Sequence, residues 1–244
     1  METTATDWRS LAERLTAALH LGVSPVAIAF DAAAPAGVAA FDAPLSEPAP
    51  DGRRGRVAAG CVFWIHGAGQ SFTTVAEDHG NCSVGSVTHG FATLEDVAGN
   101  ADVATLLESG WVTPEAVGTI PAIATRPGAV TYGPLGALPD GVEPDVVLLR
   151  VNGRQMMVLS DALPALAIEG KPQCHIVAIA AEQERPAASV GCALSRARTG
   201  MRPEEMTCAL PAATLSTAVD AIERVADVDT AVARYAASDA RRFA

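Results

Sequence analysis

Between Gly60 and Gly90 the chain reads GCVFWIHGAGQSFTTVAEDHGNCSVGSVTHG, and this stretch concentrates its reactive side chains. Two of the five cysteines, Cys61 and Cys82, stand there with three of the five histidines, His66, His79 and His89, and the adjacent acids Glu77 and Asp78. A third cysteine in a glycine-rich setting, Cys192, follows Gly191 in the far half of the chain. Cys61, Cys82 and Cys192 fall at expected element ends, whereas Cys174 (CHIVAIAA) and Cys208 (MTCAL) fall in apolar runs and read as core. Three thiolates from separated segments suit an iron–sulfur cluster, the four-iron form above all. Such a cluster normally takes four protein thiolates, so three would leave one iron to a histidine, a water or a substrate, as a Lewis acid. The wide spacing excludes a compact ferredoxin motif.

Other chemistries compete for the same residues. Cys61 and Cys82 with His79 or His89 make a mixed sulfur and nitrogen set for zinc or mononuclear iron. Cys61 or Cys82 could instead be a thiolate nucleophile, with His79 as base and Asp78 or Glu77 orienting it. Cys61 at a helix start would favour the thiolate. Inert burial of free cysteines is the plain alternative. His79 and His89 are expected to face the site as secondary ligands or proton-transfer groups. Because Glu77 and Asp78 are adjacent, at most one serves as general acid or base. Thr73 and Thr74 are candidates for hydrogen bonds to a substrate, and Arg196 and Arg198, just after Cys192, for a substrate carboxylate or thiolate charge. The cluster reading requires Cys192 close to Cys61 and Cys82; Cys174 is expected to lie apart from them.

These groups need a scaffold to bring them together, and the remaining sequence reads as α/β. Apolar residues at three- and four-residue spacing from Trp8 to Leu19 predict a helix behind a Thr6 or Asp7 cap. PVAIAF (25–30), Ala129–Tyr132, DVVLLRV (145–151), CHIVAIAA (174–181) and Thr207–Leu210 predict strands. RQMMVLSDAL, the segments after Asn100 and Thr113-Pro114, Pro211 to Val225 and Thr230 to Arg242 predict helices. Ser71 to Gly90 lacks a sustained period and is expected to be a long ordered loop. Ala, Pro, Asp and Gly dominate 32–56, as in a surface excursion. The expectation is a single compact domain over 1–244, a mixed sheet covered by Ala- and Leu-rich helices.

Composition narrows the partners. A net charge of −11 over 244 residues opposes nonspecific binding to nucleic acid or anionic membrane, both of which need clustered cations. No run is apolar enough to span a bilayer, and the N-terminus lacks the layout of a secretory signal. A cytoplasmic location is expected, where thiols stay reduced and an odd cysteine count favours ligands over disulfides.

The order of features resembles the family called domain of unknown function 169. The matching pieces are LGVSPVAIAF, Gly60-Cys61, Cys82-Ser83-Val84-Gly85, Pro144 to Leu149, Gly191-Cys192 with Arg196, and Glu205 ahead of Ala209-Leu210-Pro211. The resemblance implies an α/β fold and sets Cys61, Cys82 and Cys192 on motif positions; it implies no reaction. The expected function is a metal- or iron–sulfur-dependent lyase, hydrolase or redox enzyme acting on a small polar molecule. A metal, cluster or ligand-binding sensor is the alternative from another class.

Overall fold

The computed structural model describes residues 6–42 and 60–243. The chain opens on α1 (Trp8–Leu19), whose start is capped by the Asp7 carboxylate accepting from the Ser10 N–H at 2.9 Å. Then come β1 (Val26–Asp31), α2 (Gly60–Gly67) and β2 (Phe72–Thr74). Four short helices follow: α3 (Ser83–Thr88), α4 (Leu94–Val97), α5 (Ala101–Glu108) and α6 (Pro114–Val117). The chain continues through β3 (Ala129–Pro134), β4 (Val146–Asn152), α7 (Gly153–Ala162), β5 (Ala167–Glu169) and α8 (His175–Glu182). It ends with β6 (Ala187–Ser189), α9 (Ala193–Thr199), β7 (Glu205–Pro211) and α10 (Leu215–Ala240).

The strands form one seven-stranded sheet in the order β2-β3-β1-β4-β7-β6-β5, antiparallel throughout except for the β5–β6 pair. Alternate residues of each strand point to opposite faces. On one face Val26, Ile28, Val130, Tyr132, Val146 and Leu148 pack against Phe63 and Trp64 of α2 and Ile176 and Ile179 of α8. On the other, Ala27, Val147, Leu149 and Leu210 meet Leu11 and Leu15 of α1, Leu159 of α7 and Val219 and Ile222 of α10. Helices therefore cover both faces, and the fold is the mixed α/β arrangement expected. No helix among the described residues is long and apolar enough to cross a membrane.

The structure corrects three segments. CHIVAIAA is a helix, α8, with Cys174 as its N-cap. A short apolar run looks the same as a buried strand or a buried helix, since neither leaves a polar face to set a period. The stretch 71–90 is not a long loop but β2, a 3₁₀ turn at Ala76–His79 and α3. Local caps, too short to show a period, hold it: Asp78 Oδ2 accepts from the Val75 N–H at 2.9 Å. The two helices expected after Pro211 are one, unbroken across Ala226–Asp229, where Asp229 pairs with Arg154 of α7 at 2.6 Å. Of the Ala- and Pro-rich excursion, residues 43–56 lie outside the described residues.

Candidate functional site

Cys61, Cys82 and Cys192 line one pocket, and Cys174 lines it with them. Each comes from the start of a different helix. Cys61 lies in the first turn of α2, and Cys82, Cys174 and Cys192 are the N-caps of α3, α8 and α9. Helix starts carry unpaired N–H groups and the positive end of the peptide dipoles. Two of these groups reach sulfur: the Gly85 N–H donates to Cys82 Sγ and the Ser195 N–H to Cys192 Sγ, each at 3.4 Å. The four cysteines are 8–9% exposed, whereas Cys208 is 0% exposed in the core on the opposite face of the sheet. The expectation that Cys174 is remote is overturned by the same helix-for-strand exchange that moved its backbone.

The pocket walls are otherwise mostly apolar, with Val84, Trp111, Pro172 and Leu194 beside the thiols and Arg198 as the cation. Burial pushes the Cys61 thiol up to about 12, the Cys82 sulfur adds to the push, and Arg198 opposes it. Burial likewise holds Cys174 well above the usual thiol range, again with Cys82 contributing. The helix-end effect at Cys61 is thus outweighed by desolvation, and its protonated form is a poor nucleophile at neutral pH. Burial works against the Arg198 charge, but a hydrogen bond to Cys82 and the nearby sulfurs raise its pKa overall. Protons held this firmly leave when a metal takes their place.

His79 and His89 do not line this pocket. Both are fully buried one layer behind it, with ring centroids 5.2 Å apart and packed against Phe63 and Phe91, or Phe30. His89 Nδ1 donates to the Gly85 carbonyl at 2.8 Å, so its proton is on that nitrogen and Nε2 is a bare acceptor with no partner. His79 Nε2 bonds Thr74 Oγ1 at 3.0 Å, while its Nδ1 is unpartnered. The His89 ring touches the backbone that presents Cys61: a Cβ on Gly60 would lie 2.7 Å from its Cε1.

Burial lowers His79 well below the usual imidazole range, with His89 adding to the effect, and lowers His89 to about 4. Both are therefore neutral in the folded chain at pH 7. Below pH 6.5 the unfolded chain gains protons that the folded chain refuses, so stability present above that pH is lost on acidification toward pH 4. For His89 alone the expected loss between pH 6.5 and 5 is about 2 kcal/mol. Urea unfolding at the two pH values should show it, and His89→Gln should remove that share of the difference.

The remaining candidates are placed elsewhere. Thr73, Glu77 and Asp78 border a different surface depression with Val38 and Ala40. Thr73 Oγ1 pairs with Thr131 Oγ1 across the sheet at 3.3 Å, and Thr74 donates to the Val130 carbonyl at 3.2 Å. Arg196 spends its guanidinium on the carbonyls of Val190, Arg202 and Glu205, clamping the 190–205 segment that carries Cys192. Arg196 is a loop clamp, and Arg198, two residues on, is the arginine at the thiols. Lys171, the sole lysine, carries no functional signal in the sequence but is fixed at the pocket. Its Nζ lies 4.6 Å over the Trp111 ring and donates to the Trp111 carbonyl at 2.8 Å, fixing one wall of the pocket.

Among the described residues, no three His, Cys, Asp or Glu side chains converge as ligands of a metal ion. A family model for domain of unknown function 169, described as an uncharacterised ArCR, matches residues 14–221. No curated protein and no solved structure matches the sequence. With most of its length inside that match, the chain belongs to the domain of unknown function 169 family.

Proposed function

We propose that Cys61, Cys82, Cys174 and Cys192 hold a four-iron iron–sulfur cluster and that the protein is a redox enzyme working at this pocket. One observation carries the reading: four of the five cysteines, from four helix starts, line a single mostly apolar pocket beside Arg198. The donor set fits the group, since four thiolates are the usual complement of a four-iron cluster. When bound, the cluster supplies one-electron oxidation and reduction.

The chain's own residues do the rest. The N–H groups of Gly85 and Ser195 donate to sulfur, which stabilises thiolate and tunes potential. Arg198 offsets the anionic charge of the ligands. Val84, Trp111 and Leu194 keep water from the sulfurs. Complete ligation by protein favours electron transfer over the Lewis-acid chemistry of an open iron. The position of Glu77, Asp78, His79 and His89 away from the pocket favours it further, because lyase and hydrolase steps need an acid or base within reach.

The test is the colour and composition of protein purified without oxygen. Broad absorption near the blue end of the visible range, bleached by dithionite, with about four irons and four labile sulfides per chain, is the expected result. A colourless protein with one zinc, or with no metal after reconstitution with iron and sulfide, would sink the proposal.

A further inference from the structure

Helices α3 to α6 surround a second, larger cavity of about 320 Å³, lined by Val87, Val97, Leu106, Val112, Val117 and Ile120 among others. It shares Val84, Trp111 and Pro172 with the cysteine pocket, so the two spaces have a common wall. α5 and α6 bury no residue fully, although they carry Leu106 and Val117 of this lining. Polar ties join α5 to α3 instead, and α6 is closed by its own cap. Ser83 Oγ donates to Asp102 at 2.7 Å and accepts from Asn100 Nδ2 at 2.8 Å, and Thr113 caps α6 through the Ala116 N–H at 3.3 Å. Protein interiors ordinarily close on themselves at crystal-like density. Here the ties keep apolar groups standing around a space.

The geometry points to a binding site for an uncharged, apolar small molecule, whose end nearest Trp111 lies against the wall shared with the cysteine pocket. Its size decides the class. A dry cavity of about 150 Å³ accepts benzene, and small-molecule pockets begin near about 300 Å³. A lining of sixteen residues is well short of the 20–30 a protein partner covers on each side. No lysine, arginine or histidine is in that lining, and Glu95 is. An anionic tail group is therefore disfavoured. That the ligand is the substrate of the cysteine centre rests on the redox reading above; the cavity's capacity to bind does not.

The neutral fluorophore N-phenyl-1-naphthylamine, titrated into the full chain, tests both parts. Saturable enhancement at one probe per chain is expected with and without iron. Val117→Trp and Ala98→Phe, the second at an exposed helix end that tolerates bulk, should each weaken binding at least roughly tenfold. Circular dichroism and size-exclusion chromatography check that each variant stays folded. Non-saturable enhancement, or affinity unchanged in both variants, overturns the site. So does a wild-type dimer that the two variants dissociate, because a second copy would then be the occupant. In iron-loaded protein, bound probe should shift the visible spectrum. Full binding with an unshifted spectrum overturns the link to the cysteines, and binding to a chain that never takes up iron leaves the cavity as a ligand site independent of the redox reading.

Discussion

Serine at position 174 should cost the protein its iron as completely as serine at 61, 82 or 192, and serine at 208 should leave the iron in place. All five cysteines are buried and free, so burial alone does not separate them. Placement does. Four line the pocket and keep a thin exposure, whereas Cys208 is enclosed among Leu149, Val151 and Leu210 on the far side of the sheet. Removing one thiolate from a complete set should lower iron and labile sulfide by at least roughly tenfold in protein purified without oxygen. Alanine in place of serine removes the chance that a hydroxyl substitutes as ligand. The Cys208 variant is the control, because it makes the same change in a core rather than at the pocket. Wild-type iron and an unaltered spectrum in Cys174→Ala would defeat the four-thiolate assignment and leave a three-cysteine centre with an open iron.

Cys174 also shows how far the sequence could be read. Cys61, Cys82 and Cys192 were legible because glycine and polar neighbours mark element ends, and the structure has each at a helix start. Cys174 begins a helix too, but its neighbours form a continuous apolar run. Period distinguishes helix from strand only when one face is polar, and α8 is buried among sheet and helices. The strands of the central sheet were more readable: DVVLLRV is rich in branched residues, which suit a pleated, buried surface. Arg196 and Arg198 could not be told apart from spacing, since their roles follow from which carbonyls the 190–205 segment folds around one of them. The apolar cavity was invisible because its lining is spread over four short helices. Each alone reads as an ordinary amphipathic turn.

The layer behind the cysteines gives the second large effect, and Gly60→Ala should reveal it. Gly60 opens α2 immediately before Cys61, and a Cβ there would stand 2.7 Å from Cε1 and 3.2 Å from Nε2 of His89. That ring cannot swing aside cheaply, because its Nδ1–H is bonded to the Gly85 carbonyl and it is fully buried. Overpacking of this kind costs about 1–3 kcal/mol, and here the strain falls on the turn that aims Cys61. Gly60→Ala should therefore lower both stability in urea and iron retention. His89→Ala alone should also destabilise, by leaving a cavity and an unpaired Gly85 carbonyl. The two losses should not add: in the double variant the new methyl occupies space the imidazole has left, and the coupling should reach about 1 kcal/mol. Recovery of iron in the double variant would place His89 as a support for Cys61 that acts through packing and supplies no ligand. Strict additivity, with iron lost in His89→Ala and not regained, would instead make the bare Nε2 of His89 a direct participant at the centre.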